Sequence, residues 1–139
     1  MKNFIIISLI FLLFSCSVTK KIDQDHNNTS YLIKKIKSKH DWYIFYAVRN
    51  DTTYKIVSKK ETVQNKASIK IVVGKYYNLI LHSNIPVIDG VKMQPINYLD
   101  VECLHFDTNT IICIEPKKGI YDLYSAENIK GLYYIEKNP

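Results

Sequence analysis

Two cysteines in the last third of the chain have the spacing of a cross-strand pair. Cys103 and Cys113 belong to strand-like runs that flank a candidate turn at 107–109. A three-residue turn with Asn109 in the left-handed conformation sets the cysteines opposite each other. A two-residue turn would force Thr108 to a positive φ, which a β-branched residue resists. In an oxidising compartment this pairing allows a disulfide, and two buried free thiols are an equal alternative that the sequence does not decide against.

The other groups that could do chemistry show no spacing typical of a catalytic or metal site. The four histidines form neither a His-x-His nor a His-Glu-x-x-His pattern, and the four glycines leave no glycine-rich phosphate loop. A metal or redox role for the cysteines has only His105 nearby and no Cys-x-x-Cys in support. We therefore predict no metal, no cofactor and no catalytic residue. An envelope enzyme that uses His82, His105 and scattered carboxylates stays open as an alternative.

The eleven tyrosines offer a recognition chemistry instead. Adjacent residues of a strand point to opposite sides of its sheet, so one ring of each tyrosine doublet is expected to face outward. Exposed tyrosines suit protein or sugar recognition, because each ring offers a large area and a hydroxyl at low entropy cost. The candidate ligand-binding rings are Tyr76, Tyr77, Tyr121 and Tyr124. The alternative is that these rings only pack the sheet and the core.

One short motif predicts a modification. Asp51-Thr52-Thr53 resembles the three-residue O-glycosylation site of Bacteroidota, in which an Asp precedes the modified Ser or Thr. The motif lies in a predicted hairpin turn, where it should be accessible. By that resemblance, Thr52 would carry the glycan.

The basic charge of the chain is weak support for a nucleic-acid partner. Lys and Arg outnumber Asp and Glu by 19 to 13, for a net charge of +6, but Arg49 is the sole arginine. Nucleic-acid recognition usually relies on the bidentate guanidinium group. Ile, Lys, Asn and Tyr, whose codons are AT-rich, are all abundant, so base composition accounts for much of the lysine. We expect the lysines to form a solvated surface.

The elements that position these residues are predicted to be short strands. Three hairpins are expected, pairing 42–48 with 53–58, 68–73 with 76–82, and 101–106 with 110–115. Further strands are expected at 120–124 and 132–136, with one helical turn after residue 125, and 31–39 favours a strand over a helix. Pro and Gly make 83–100 an irregular connection. Seven or eight short strands predict a mainly β fold, a small antiparallel β-barrel or sandwich, with an OB-like barrel compatible.

The N-terminal residues have the layout of a secretory signal peptide. Lys2 precedes an apolar run over 4–14, which is too short to span a bilayer as a helix. The run ends in Leu13-Phe14-Ser15-Cys16, which resembles the lipobox of bacterial lipoproteins, and the codon bias is similar to that of Bacteroidota. The resemblance implies that residues 1–15 are cleaved. Cys16 would then carry diacylglycerol and, on its new amine, a fatty acid such as palmitate.

The same resemblance implies a location. Residues 16–30 would be the lipidated cysteine and a polar, flexible tether that spans on the order of 20 Å. Residues 31–139 would be one β-rich domain. Ser17 stands where Asp retains a lipoprotein at the inner membrane in enterobacterial sorting, so the outer membrane is expected, with its periplasmic and surface faces both open. A freely secreted product is the alternative.

These observations predict an envelope lipoprotein that binds a partner without turning it over. The expected partners are the membrane, through the lipid on Cys16, and an unknown protein, glycan or envelope component, but no nucleic acid. The alternative is an inhibitor or immunity-type lipoprotein that blocks a toxin or a lytic enzyme. In that case the irregular segment 83–100 could serve as the blocking loop.

Overall fold

The computed structural model describes residues 30–63, 68–85, 87–88, 91–92 and 102–136, and the fold is mainly β, as predicted. The strands are β1 (Tyr31–Lys39), β2 (Trp42–Arg49), β3 (Thr52–Lys59), β4 (Ser68–Lys70), β5 (Tyr76–Tyr77), β6 (Leu81–Ser83), β7 (Val87–Ile88), β8 (Val91–Lys92), β9 (Cys103–His105), β10 (Ile111–Cys113), β11 (Leu123–Ala126), β12 (Ile129–Lys130) and β13 (Tyr133–Ile135). A 3₁₀ turn forms at Pro116–Lys118. The predicted signal peptide and Cys16 lie outside the described residues. Within those ranges no helix is long and apolar enough to cross a membrane.

The largest sheet has six strands in the order β5-β1-β2-β3-β11-β6 and curls into a half-barrel. Three smaller sheets accompany it, β12-β13-β4, β9-β10 and β7-β8. Strand neighbours in the described ranges run antiparallel except for β3 and β11, which are parallel. The prediction of a small antiparallel barrel or sandwich is therefore confirmed in class, with one parallel pair inside the main sheet.

The hairpin of β2 and β3 forms as its turn residues predict. Asn50 and Asp51 have φ of 48° and 59°, the pair of positive values that a two-residue hairpin turn of right-handed twist requires. Asn and Asp tolerate this conformation better than other residues with a side chain. The pairing then runs without a break from Arg49 opposite Thr52 to the far end of both strands.

Strand β1 contains an irregularity that decides where its lysines lie. The pairing with β2 shifts by one residue between Ile33 and Lys35. As a result Ile33 and Ile36 lie opposite Ala47 and Phe45 and share their face of the sheet. Such a bulge changes the alternation of side chains along the strand. As a result Lys35, Lys37 and Lys39 all project from the opposite face.

Both faces of the main sheet are covered, which explains why β2 is a nearly continuous apolar run. One cluster contains Ile33, Phe45 and Ile56 together with Ile129 of the β12-β13-β4 sheet. The other contains Ile44, Val57 and Leu123 together with Ile112 of the β9-β10 hairpin. A sheet that is buried on both faces replaces alternation with continuous hydrophobicity. A polar residue in the middle of such a strand must find a partner inside the protein.

The predicted hairpin between 68–73 and 76–82 is wrong. Each of its strand-like pieces pairs elsewhere: β4 with β13, β5 with β1, and β6 with β11. Gly74 does make a turn, with φ of 84°, but its N–H donates to Ile33 O at 2.8 Å. The backbone N–H and C=O groups of these segments are instead hydrogen-bonded to the edges of β1, β11 and β13.

Two smaller predictions also differ from the structure. The helical turn expected after residue 125 is absent, because β11 extends to Ala126 and β12 begins at Ile129. The 3₁₀ turn lies earlier, where Pro116 supplies the fixed φ of a helical start. The strand predicted for 31–39 is confirmed. Most of 83–100 lies outside the described residues, although β7 and β8 form a two-stranded sheet within it.

Candidate functional site

A cleft of about 390 Å³ lies between β1 and β10, on the face of the main sheet that the β9-β10 hairpin covers. We call it the lysine cleft. Its lining residues are Lys37, Ser38, Lys39, Ile44, Tyr46, Lys55, Ile111, Ile112, Cys113 and Glu115. Three ammonium groups therefore face a single carboxylate across an apolar floor.

The three lysines reach the cleft for different structural reasons. Lys37 and Lys39 are exposed and two positions apart on β1, so the bulge places both on the cleft side of the sheet. Lys55 lies in the middle of β3 and is only 5% exposed. Its neighbours Tyr54 and Ile56 point to the opposite face, which leaves the ammonium group between the sheet and β10.

Glu115 is held by three donors. Its Oε1 accepts hydrogen bonds from the Tyr46 hydroxyl and from Lys55 Nζ, each at 2.6 Å, and its Oε2 accepts one from Lys118 Nζ. Burial alone would raise the pKa of Glu115, but the hydrogen bonds from Lys118, Lys55 and Tyr46 outweigh it and lower the pKa to about 2. The carboxylate is therefore ionised at neutral pH and is already bound by three donors.

Tyr46 is fixed in its protonated form. Burial raises its pKa well above the ordinary 10.0, and the hydrogen bond to Glu115 raises it further. Two ammonium groups lie near its ring, with Lys37 Nζ at 5.5 Å and Lys55 Nζ at 5.7 Å from the ring centroid. The ring therefore orients cations by cation–π attraction. The pKa of Tyr46 is therefore raised and the pKa of Glu115 lowered, both away from the range near 7 that general acid–base catalysis uses.

Two lysines also bind the backbone of β10. Lys39 Nζ donates to Ile111 O at 2.5 Å, and Lys55 Nζ donates to Cys113 O at 2.6 Å. These contacts join the walls of the cleft, since the donors belong to the main sheet and the acceptors to the hairpin. They also fix two positive charges along the edge of β10.

The β9-β10 hairpin has the register that a three-residue turn predicts. Cys103 lies opposite Cys113, and Phe106 N donates to Thr110 O at 2.9 Å. The two sulfur atoms are bonded, at 2.03 Å. Cys113 thus lines the lysine cleft as half of a disulfide that ties β10 to β9.

The turn itself is stabilised differently from the prediction. Among the described residues, the positive φ angles outside glycine belong to His40, Asn50 and Asp51, so the left-handed conformation expected of Asn109 is wrong. The Asp107 carboxylate replaces it, accepting the N–H of Asn109 at 2.9 Å in an Asx-turn.

A second, more open depression of about 800 Å³ lies beside this turn, lined by His40, Asp41, Lys59 and 107–110. Its polar groups bind one another. Trp42 Nε1 donates to Asp107 Oδ2 at 2.6 Å, and a hydrogen bond of 3.2 Å joins His40 Nδ1 to Thr110 Oγ1. The bond from Trp42 is the main cause that lowers the pKa of Asp107 to about 2. We interpret these hydrogen bonds as the contacts that stabilise the turn at 107–110.

The four candidate tyrosines do not converge. Tyr76 and Tyr77 are on β5, and Tyr121 and Tyr124 lie in or just before β11, with three strands of the main sheet between them. The Tyr77 hydroxyl accepts the N–H of Val72 at 2.9 Å. Tyr76 and Tyr121 are about half exposed, at 43% and 46%. A groove lined by all four rings is therefore not formed.

Tyr124 belongs to an aromatic stack at one end of the main sheet. Its ring centroid lies 5.4 Å from that of Tyr54, which lies 5.2 Å from that of Tyr31. Arg49, the sole arginine, covers Tyr31 at 4.5 Å. Burial raises the pKa of Tyr124 to about 12, with a further contribution from Asp122. These contacts pack Tyr124 against other side chains of the protein.

The remaining candidate residues do not form a site in the described ranges. Thr52 is exposed at the start of β3, directly after the first hairpin turn, and its glycosylation stays a prediction. His82 Nε2 lies 3.7 Å from Glu127 Oε2 on an exposed surface. No group of three His, Cys, Asp or Glu side chains gathers there in a way that could hold a metal ion.

No protein-family model, curated protein or solved structure matches the chain. The lysine cleft therefore carries the evidence for function, and no motif of the sequence predicted it. One signal was present. Lys55 stands between Tyr54 and Ile56 in a strand-like segment. A cation that is buried at such a position must be paired inside the protein.

Proposed function

We propose that this protein is a lipid-anchored, non-catalytic binding module of the cell envelope, and that its ligand is negatively charged and occupies the lysine cleft. The observation that carries the proposal is the convergence of Lys37, Lys39 and Lys55 on a cleft whose carboxylate, Glu115, is already bound by three donors. The cleft therefore has an excess of positive charge.

The burial of Lys55 supports a role in binding. A buried ion pair contributes little to stability, because desolvation of both ions offsets their attraction, and apolar residues often replace such a pair without loss. The Lys55–Glu115 pair nevertheless lies between the main sheet and β10, with the two side chains 6% and 21% exposed. An ammonium group held in a low-dielectric cleft attracts an anion more strongly than one in water.

The proposed location rests on the lipobox resemblance of residues 13–16. A diacylated and N-acylated Cys16 would hold the protein firmly, since each buried CH₂ group contributes about 0.8 kcal/mol and more than one chain is attached. The domain begins at Tyr31, so a tether of about 14 residues would let the cleft meet a ligand near the membrane surface.

Binding of acidic polymers tests the cleft. The full-length chain, purified in detergent, is titrated with poly-L-glutamate and with polygalacturonate, and uncharged dextran serves as the control polymer. We expect binding of an acidic probe that weakens steeply with salt. Lys37→Glu combined with Lys39→Glu should weaken it by at least about tenfold, since each reversal opposes the ligand at close range.

The matched control reverses two exposed lysines on the opposite side of the main sheet, Lys70→Glu combined with Lys130→Glu. It changes the net charge of the protein by the same amount. Equal weakening by both double variants would mean that only the overall charge matters, and would overturn the proposed site. If neither acidic polymer binds, the proposed function is overturned.

Cell fractionation tests the anchor. Wild-type protein should sediment with membranes, whereas Cys16→Ser should not be lipidated and should leave them. Protease treatment of intact cells then separates the surface, where the domain is cleaved, from the periplasm, where it is protected. Membrane association of Cys16→Ser that equals the wild type would contradict the anchor.

A further inference from the structure

The edge of β10 faces the lysine cleft with its backbone groups. In the β9-β10 hairpin, Ile114 N donates to Glu102 O and Phe106 N donates to Thr110 O. Hydrogen-bonded and non-hydrogen-bonded pairs alternate in an antiparallel ladder. Ile111 and Cys113 occupy non-hydrogen-bonded positions, so their N–H and C=O groups point away from β9 and into the cleft.

The spacing of the lysine ammonium groups matches the two-residue spacing of the backbone groups along this edge. Lys39 and Lys55 bind the carbonyl groups of Ile111 and Cys113, which are two residues apart. Lys37 and Lys39 are likewise two residues apart on β1. Alternate residues of a strand are separated by about 6.6–6.8 Å. The positive charges therefore repeat at the spacing of alternate side chains in an extended peptide.

The floor of the cleft adds a second requirement. Ile44 is buried on β2 and Ile111 is 40% exposed on β10, and both line the cleft. Ile44 lies directly opposite Lys37 and shares its face of the sheet, whereas the side chain of Ile111 points away from the main sheet, because its neighbour Ile112 is buried against that sheet. A strand added at this edge would therefore present one side to the lysines and the other to the apolar carbons beside Ile111. An extended peptide with acidic residues at every second position and apolar residues between them meets both requirements.

We infer that the lysine cleft binds an extended acidic segment of a partner protein, which pairs as an added strand with the edge of β10 to which no other described strand is hydrogen-bonded. This inference rests on the proposed function and specifies its ligand. Main-chain hydrogen bonds to the N–H groups of Ile111 and Cys113, and to the second lone pair of each carbonyl group that a lysine already binds, would supply affinity. Acidic side chains opposite the exposed Lys37 and Lys39 would supply specificity. An acidic polysaccharide shares the charge but has no backbone N–H and C=O groups to continue the ladder.

Backbone methylation of the ligand separates strand addition from simple charge attraction. The probes are a strand-length synthetic peptide of alternating glutamate and valine, the same peptide with N-methyl groups on alternate residues in each of the two registers, and polygalacturonate. We expect the unmodified peptide to bind, and one N-methyl register to lose at least about tenfold in affinity because it removes donors to the edge. The other register should bind nearly as well.

Amide hydrogen exchange of the full-length protein provides the direct readout. The unmodified peptide should slow exchange at Ile111 and Cys113 by at least about tenfold, because new backbone bonds protect edge amides. Polygalacturonate should leave these two amides unchanged. Ile111→Pro removes one edge N–H at a position that an edge strand tolerates, and should weaken the peptide and spare polygalacturonate.

The outcomes distinguish this inference from the proposed function. Peptide binding that depends on Lys37 and Lys39, with equal affinity for both N-methyl registers and unchanged exchange at β10, would overturn strand addition and leave an anion-binding cleft. Polygalacturonate binding without any peptide binding would also overturn it. Failure of every acidic probe would overturn both proposals.

Discussion

Protonation of Glu115 should destabilise the protein over a defined range of acid pH. Its carboxylate accepts hydrogen bonds from Tyr46, Lys55 and Lys118 and is 21% exposed. All three donors favour the ionised form, which is why the pKa falls from 4.5 to about 2 on folding. The unfolded chain binds the proton at a higher pH than the folded protein does, so acid favours unfolding.

The magnitude follows from the two pKa values. A tenfold change in proton affinity corresponds to about 1.36 kcal/mol, so a decrease in pKa from 4.5 to about 2 corresponds to about 3 kcal/mol of unfolding free energy. Partial exposure of the carboxylate reduces this to about 2–3 kcal/mol. The contribution is complete above pH 4.5 and disappears as the pH falls through the folded-state pKa, near 2.

Denaturant unfolding at a series of pH values measures this effect. Glu115→Gln should unfold with about 2–3 kcal/mol less free energy than the wild type at pH 7. The difference should shrink between pH 4.5 and 2, because the wild type alone loses the charge of Glu115. Glu61→Gln, which alters an exposed glutamate, is the control and should follow the wild type. A Glu115→Gln difference that stays constant over this range would refute the linkage.

Three further changes have defined outcomes for stability, each measured by denaturant unfolding. Phe45→Ala, at a fully buried position of the main sheet, should cost about 3–5 kcal/mol, and a cost below 1 kcal/mol would contradict the described core. Replacing Cys103 and Cys113 with serine should cost about 2–3 kcal/mol, since the disulfide closes a loop with a sequence separation of 10; an unchanged midpoint would contradict the bond. Gly131→Ala should cost more than Gly74→Ala. Both have positive φ, but only the new Cβ at Gly131 would lie 2.9 Å from a backbone oxygen. Equal costs would contradict that close approach.

Local features of the fold were predictable because short-range chemistry determines them. The β2-β3 hairpin depends on Asn50 and Asp51, which can adopt the positive φ that the turn needs. The register of Cys103 and Cys113 depends on a turn of three residues between two short strands. Asp107 took the stabilising role assigned to Asn109, because its side chain can accept the turn N–H.

Partners distant in the chain were not predictable in the same way. The pieces around Gly74 look like a hairpin, yet β4 and β5 pair with strands at opposite ends of the chain, β13 and β1. A strand-like pattern shows that a segment needs a neighbour but does not say which edge will supply it.

The lysine cleft depends on such distant pairings. Lys55 and Glu115 are 60 residues apart, and the bulge after Ile33 that turns Lys37 toward the cleft leaves no mark in the hydrophobic pattern. The expectation that the lysines are merely solvated is wrong for Lys55, which is 5% exposed. Composition indicated how many lysines there are, whereas the fold determines where they meet.

Lysine footprinting tests the central claim, that anionic ligands occupy the lysine cleft, most directly. The full-length protein is acetylated with and without poly-L-glutamate, and the modification at each lysine is measured by mass spectrometry. Bound polymer should slow acetylation of Lys37 and Lys39 at least about fivefold, while the exposed Lys70 and Lys130 react as before. Equal protection of all four lysines, or protection of Lys70 and Lys130 alone, would contradict it.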